Sequence, residues 1–181
     1  MKAIPTVYCG TKFRSRLEAD WAATMDSVGL EWQYEIEGFQ LSDGSWYLPD
    51  FYLPSAKAWM EVKGDHDERV GKFETFAADL WRESGASTAT EIEAPLVLLA
   101  RAPRRHPEDA TLWRNMVGVM GHGKRYSVTI SQCPNCNQVT VIALWQQHCR
   151  GCGFEHEDPI ETWLSCSADI LYSGFTRVTR W

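Results

Sequence analysis

Apolar residues in the N-terminal half of the chain switch between a helical period and a strand period. Residues 13–28 (FRSRLEADWAATMDSV) carry a large apolar side chain at every fourth position, and Gly29 follows; this spacing predicts a helix. Residues 31–41 and 46–53 alternate in the manner of strands and flank the turn sequence SDG. We therefore expect a helix followed by a β-hairpin, whose second strand is an edge or bulged strand because it contains Pro49.

Residues 58–100 complete a compact α/β pattern. A third strand is expected over residues 58–62, and a second helix over residues 65–83, with Asp65 as its cap. Residues 94–100 (APLVLLA) form the continuous apolar run of a buried central strand. The predicted order is helix, three strands, helix, strand, which defines an α/β core.

The rest of the chain divides into smaller parts. We assign residues 1–104 to the core and residues 105–125 to a linker that holds a short helix and ends in the flexible sequence GHGKR. Residues 126–158 contain two cysteine pairs and form a separate module. Residues 159–181 are rich in apolar side chains and are expected to pack back on the body.

Composition narrows the class of protein. Hydrophobic residues make up 44% of the 181 positions, which is enough for a folded core. No apolar run is long enough to span a membrane, so we expect a cytoplasmic protein without a membrane partner. The net charge of −6 argues against coating of nucleic acid by bulk charge, and no Gly-rich phosphate loop or Ser/His/Asp pattern is evident.

Two carboxylates and a lysine carry the strongest chemical signal in the core. Asp50 lies on the second predicted strand, and Glu61 and Lys63 lie on one face of the third. Paired strands would bring all three together. Two carboxylates suit Mg²⁺ or Mn²⁺, which fills its other positions with water and phosphate, and Lys63 can orient or help deprotonate that water or pair with the phosphate.

These pieces resemble the PD-(D/E)XK nuclease superfamily, which has a restriction-endonuclease-like fold. The resemblance rests on the segments FRSRLEADWA, YLPDFYL and WMEVKG and covers residues 7–101. It implies an αβββαβ core with a mixed central sheet flanked by helices, and the three segments look like those of small phage and transposon-end nucleases. It further implies that Glu18 joins Asp50 and Glu61 at the metal, and that Arg14 and Arg16 contact phosphate.

Plainer interpretations of the same residues stay open. Asp50 and Glu61 could be solvated strand residues, and Lys63 could simply end a strand. Glu18 could pair with Arg14, one helical turn away. His66 is expected to be a surface residue at the start of the second helix.

Four cysteines with paired spacing predict a zinc ribbon. Cys133 and Cys136 form one Cys-x-x-Cys knuckle, and Cys149 and Cys152 form a second. Four thiolates match the closed tetrahedral site of structural zinc, and the intervening VTVIALW predicts a strand pair. His148 and His156 are not needed as ligands, and Cys9 and Cys166 are expected to be ordinary buried residues.

The sequence thus predicts a Mg²⁺- or Mn²⁺-dependent endonuclease or nickase that acts on DNA and carries a structural zinc. Basic residues near the ribbon, Lys124, Arg125 and Arg150, are further candidates for nucleic-acid contact. A catalytically silent zinc-ribbon module that binds nucleic acid or protein is the alternative from another class. A junction or flap nuclease that needs a partner, RNA as the substrate, and a homodimer all stay open.

Overall fold

The computed structural model describes residues 3–64, 70–88, 91, 94–102, 116–143, 146 and 148–155. A short helix was expected near residues 108–119; residues 116–119 are a β-strand instead, and residues 108–115 lie outside the described residues, as do His66, His156, Cys166 and the segment 159–181. No helix in the described part of the chain is long and apolar enough to cross a membrane.

The described residues form an α/β fold around a mixed seven-stranded sheet. In chain order the elements are β1 (Thr6–Tyr8), β2 (Thr11–Phe13), α1 (Arg16–Ser27), β3 (Gln33–Tyr34), β4 (Phe39–Gln40), β5 (Trp46–Tyr47), β6 (Phe51–Leu53), a 3₁₀ turn (Pro54–Ala56), β7 (Ala58–Val62), α2 (Gly71–Ser84), β8 (Leu96–Ala100), β9 (Met116–Val119), β10 (Arg125–Gln132) and β11 (Val139–Ala143). The large sheet has the order β11-β10-β9-β8-β7-β6-β3, while β1-β2 and β4-β5 form separate two-stranded hairpins. Only β7 and β8 pair in parallel; the other neighbours in the large sheet are antiparallel.

Each face of the sheet is covered by one helix, because its strands are apolar on both sides. Strand β8 is buried throughout: Leu98 packs in the core that includes Trp21 of α1, and Leu99 packs in the core that includes Phe76 of α2. Hairpin β4-β5 contributes Tyr47 to the α2 side. The predicted α/β class, mixed sheet and two flanking helices are therefore confirmed.

Several element boundaries differ from those predicted. Phe13 ends β2 instead of starting the helix, and Ser15 is the N-cap of α1, where its side chain accepts a hydrogen bond from the N–H of Glu18. Helix α2 begins at Gly71 with Val70 at the N-cap, so the predicted start at Asp65, with that residue as the cap, is wrong.

The predicted hairpin over residues 31–53 is broken into two parts. Its inner part is β3 paired with β6, and its outer part is β4 paired with β5. The ladder is interrupted at residues 48–50, where Pro49 lacks an N–H to donate. Asp50 is the last residue of this interruption and directly precedes β6.

The C-terminal half of the described chain is continuous with the core sheet. Residues 105–125 were predicted to be a linker, but they include strand β9. This strand pairs with β8 on one side and with β10 on the other. Strands β10 and β11, which flank the first cysteine pair, extend the same sheet and contribute Val128, Ile130 and Val141 to the core that includes Trp21. The sequence VTVIALW supplies one described strand, β11, instead of the predicted pair.

Candidate functional site

Strands β6 and β7 bring Asp50 and Glu61 to the same end of the sheet. Their antiparallel register pairs Phe51 with Met60, so one step along the ladder sets Asp50 beside Glu61. Both side chains are buried, with 3% and 4% of their surface exposed. Burial of two carboxylates is costly without compensation, so their contacts show how the protein balances the charge.

Asp50 is held by one backbone donor and one arginine. Its Oδ2 accepts a hydrogen bond from the N–H of Val62 at 2.7 Å. Its Oδ1 accepts a hydrogen bond from Nη2 of Arg14 at 2.6 Å, and Nε of the same guanidinium lies 2.6 Å from Oε1 of Glu35. Arg14 therefore bridges Asp50 and Glu35.

Glu61 is held in a similar way by one neutral donor and one cation. The hydroxyl of Tyr47 donates to its Oε2 at 2.5 Å, and Nζ of Lys63 forms an ion pair with its Oε1. The N–H of Lys63 donates to the carbonyl of Ala100 at 2.8 Å. The β7-β8 ladder thus continues past Val62 and fixes the backbone from which Lys63 extends.

Glu18 lies at the start of α1 and is fully engaged by local donors. Its Oε1 accepts a hydrogen bond from the hydroxyl of Ser15 at 2.6 Å, and its Oε2 accepts one from the hydroxyl of Tyr34 at 2.6 Å. The backbone N–H of Arg14 also donates to Oε2, at 3.1 Å. The suggested pairing of Glu18 with Arg14 is therefore a backbone contact, whereas the guanidinium of Arg14 is directed to Asp50.

Among the residues that the structure describes, the site holds more negative than positive charge. Four carboxylates, those of Glu18, Glu35, Asp50 and Glu61, lie around two cations, Arg14 and Lys63. Burial together with the charges of Glu61 and Glu18 raises the pKa of Asp50 to about 8, against the opposing effects of the Val62 N–H and Arg14. A divalent cation is the kind of ligand that would correct this imbalance.

The donor set fits a metal that needs few protein ligands. Asp50 Oδ1 and Glu61 Oε1 are the two oxygens bound by side-chain cations of the protein, and two carboxylate oxygens suffice for Mg²⁺. The carboxylates do not form a three-ligand cage: among the described residues, four cysteines are the only group of three or more His, Cys, Asp or Glu side chains with converging ligand atoms. The structure thus brings Asp50, Glu61 and Lys63 together without placing Glu18 as a third ligand.

The four cysteines form a cluster compatible with a tetrahedral metal site. The ligand atoms of Cys133, Cys136, Cys149 and Cys152 lie within 4.8 Å of one another. Two sulfur pairs are separated by 3.8 and 3.9 Å, and a tetrahedral site with Zn–S bonds of about 2.3 Å requires about 3.8 Å. The N–H of Phe154 is the main cause that lowers the pKa of Cys152 to about 6, which favours the thiolate that a metal requires.

The cysteine cluster lies away from the carboxylates. Strand β11 packs against the 3₁₀ turn Pro54–Ala56, and that turn precedes β7, whereas Glu61 lies near the other end of β7. A Cβ atom at Gly151 would be 3.5 Å from the carbonyl oxygen of Ser55, so the second knuckle also touches this turn. The cluster joins the last strands to the core and does not share the carboxylate site.

The predicted nucleic-acid contacts do not share one surface. Lys124 and Arg125 are exposed, and they lie near Val119 at one end of β9. The opposite end of β9 is the one that lies beside Ala100. Arg150 is only 6% exposed, and its Nε donates to Oε1 of Gln146 at 3.3 Å. Arg150, expected to contact nucleic acid, is therefore buried instead of exposed.

Arg16 is partly exposed on α1, and its Nε lies 3.8 Å from Oδ2 of Asp20. Arg14, at 57% side-chain exposure, is the one predicted phosphate contact that touches the carboxylate site directly. Cys9, expected to be buried, is exposed at the β1-β2 turn, where its φ is +44°.

Three residues of the site were not identified from the sequence. Tyr34 and Tyr47 look like ordinary core aromatics in strand patterns, yet their hydroxyls bind Glu18 and Glu61. Burial is the main cause that raises the pKa of both tyrosines, so each remains a donor. Glu35 looks like a solvated strand residue, but it has a left-handed backbone with φ of +48° and is directed at Arg14. Tyr47 lies two residues before Pro49 and three before Asp50, and this spacing was the only sequence signal for its role.

Comparisons with known proteins identify no relative that could assign the chain to a family: no family model, curated protein or solved structure matches it.

Proposed function

We propose that the chain is a Mg²⁺- or Mn²⁺-dependent phosphodiesterase with a restriction-endonuclease-like core, and that it cuts DNA as an endonuclease or nickase. The observation that carries the proposal is the convergence of buried Asp50 and Glu61 on neighbouring strands, with Lys63 paired to Glu61. Isolated strand carboxylates would face solvent. Here two are buried side by side, which is characteristic of a site that binds a cation.

Each residue has a distinct role in this proposal. Asp50 and Glu61 would hold the cation through Oδ1 and Oε1, while Val62 N–H and the Tyr47 hydroxyl keep the other oxygens in place. The bound cation supplies a more acidic water and neutralises charge on the phosphate. Lys63, freed from Glu61, orients that water or pairs with the phosphate being attacked.

The proposal includes a structural zinc at the four cysteines. The sulfur separations and the closed set of four thiolates leave no position for a reacting water. The zinc therefore stabilises the β10-β11 end of the sheet and takes no part in the chemistry.

The test is a cleavage assay on supercoiled, linear, single-stranded and branched DNA and on RNA, with and without Mg²⁺ or Mn²⁺. Wild type is expected to cut with a divalent ion only, and Lys63→Ala is expected to lose at least about 100-fold in rate. Lys12→Ala is the matched control, since Lys12 is exposed on β2.

The silent binding module predicts a different pattern. It requires no cutting of any substrate and nucleic-acid or protein binding that Asp50→Ala and divalent ions leave unchanged. Equal cutting by wild type and Lys63→Ala would exclude the proposed chemistry. The protein would then be a nuclease that works by another mechanism.

A further inference from the structure

The contacts of Asp50 and Glu61 divide their oxygens into two kinds. One oxygen of each carboxylate accepts a hydrogen bond from a neutral donor, the N–H of Val62 or the hydroxyl of Tyr47. The other oxygen of each binds a cation on a long side chain, Arg14 or Lys63. The neutral donors are buried in the sheet, whereas Arg14 keeps 57% of its side chain exposed.

We propose that Arg14 is an exchangeable counter-ion of this site: it occupies Asp50 Oδ1 when no metal is bound, and it releases that oxygen when a divalent cation binds. This inference rests on the proposed function and adds that Arg14 competes with the metal for Asp50. The guanidinium is then held by Glu35 at the edge of the site, where it meets a phosphate of the substrate.

Electrostatics makes the exchange necessary. A guanidinium and a divalent cation on the same carboxylate oxygen repel each other, and burial of Asp50 reduces the screening by water. The divalent ion carries a larger charge than the guanidinium and is attracted more strongly to that oxygen, so Arg14 is the group that moves. Its exposure leaves room for the movement.

Glu35 is placed to receive the displaced guanidinium. Its Oε1 already lies 2.6 Å from Nε of Arg14, while Nη2 of the same group binds Asp50. Glu35 is kept there by its own N–H, which donates to the carbonyl of Asp50 at 3.0 Å, and by its left-handed backbone with φ of +48°. A non-glycine residue in that region is strained and is retained where a specific geometry is needed.

The chain offers a matched control for this arginine. Arg82 on α2 pairs with Asp79 through Nη2 and Oδ1 at 2.5 Å, with side-chain exposures of 63% and 12%. The Arg14–Asp50 pair has a distance of 2.6 Å and exposures of 57% and 4%. Both are arginine–aspartate pairs of similar geometry, but only Arg14 competes with the proposed metal.

The test is a calorimetric titration of Mg²⁺ into zinc-loaded protein, because thiolates retain zinc in preference to Mg²⁺. Removal of the competing cation is expected to tighten Mg²⁺ binding on the order of tenfold in Arg14→Gln and Arg14→Ala. Arg82→Gln is expected to bind Mg²⁺ as wild type does. Arg14→Gln retains a donor for Asp50, so it provides a folded variant if Arg14→Ala is unstable.

Two outcomes overturn the inference in distinguishable ways. If wild type binds Mg²⁺ and the Arg14 variants bind it equally or more weakly, Arg14 does not exchange with the metal, and the proposed nuclease is unaffected. If neither wild type nor the variants bind Mg²⁺, the metal site itself is wrong, and the proposed function fails with it.

Discussion

Asp50 is the residue whose pKa shows the charge imbalance of the carboxylate site most clearly. Burial and the charges of Glu61 and Glu18 raise its pKa to about 8 despite Arg14, so in the folded protein without a metal the carboxyl keeps its proton to a higher pH than in an unfolded chain, which releases it near pH 3.8. The folded state therefore binds more protons than the unfolded state between these pH values. The resulting stabilisation is complete below the lower value and is lost as the pH rises through the upper one.

Asp50→Asn should remove this pH dependence, because asparagine resembles the protonated acid at every pH. Without added Mg²⁺, the melting temperature of wild type should fall relative to that of Asp50→Asn between pH 5 and pH 9. Thermal denaturation of both proteins across this range measures the difference. A constant difference would show that Asp50 does not carry the raised pKa.

Residue identity predicts the charged members of the site better than their neutral partners. Asp50, Glu61 and Lys63 are conspicuous because charge is rare in apolar strands. Tyr47 is not, since an aromatic residue in a strand is normally a packing residue and only the fold shows that its hydroxyl reaches Glu61. Arg150 was predicted to contact nucleic acid from its charge and its position in the second cysteine knuckle, and its burial depends on tertiary contacts that sequence spacing does not report.

At the scale of elements, strand β9 is the feature that connects the two halves of the chain. Because the segment Met116–Val119 is short and contains Gly118, the sequence pattern did not distinguish this central strand from a linker. The glycine has a packing reason: a Cβ there would lie 2.2 Å from the ring of Tyr126 on the adjacent strand β10. Only a residue without a side chain fits beneath that ring.

Gly118→Ala should consequently destabilise the protein by about 1–3 kcal/mol, because neither the paired strand nor the ring can move freely. Urea denaturation measures the change. Gly64→Ala is the control, since a Cβ at Gly64 meets nothing within 4 Å. An unchanged midpoint for Gly118→Ala would mean that β9 and β10 do not pack as described.

Other element boundaries follow from local chemistry that periodicity does not capture. The four-residue spacing that begins at Phe13 suggested a longer first helix, but Phe13 pairs with Thr6 in a hairpin and Ser15 provides the cap. Strand β8 was predicted closely because it is a continuous apolar run in the middle of the sheet, and β7 was predicted with the bounds observed although it contains Glu61.

In the molecule as a whole, the cysteine cluster lies beside the last two strands of one continuous sheet. Its strands share a core with α1 through residues such as Ile130 and Val141, and it touches the turn before β7. The spacing of the cysteines predicted the cluster, but sequence alone suggested a separate module. Loss of the metal should therefore destabilise the core as well as the cluster.

Cys149→Ser should lower the melting temperature of the whole protein by roughly 10 °C in a single transition. Cys9→Ser, which changes an exposed cysteine outside the cluster, should leave it nearly unchanged. Calorimetry of both variants and of zinc-stripped wild type distinguishes one cooperative unit from two. A separate low-temperature transition with an unshifted main one would identify an independent module.

In the proposed function, Asp50 and Glu61 hold the divalent ion with which the protein cuts DNA. Nicking of supercoiled DNA tests this role, with the rate measured as a function of Mg²⁺ concentration for wild type and the isosteric Glu61→Gln. Wild type should show saturable, Mg²⁺-dependent nicking, and Glu61→Gln should lose at least about 100-fold in rate at every Mg²⁺ concentration. Equal nicking by the two proteins, or nicking by wild type that does not depend on a divalent ion, would exclude this role.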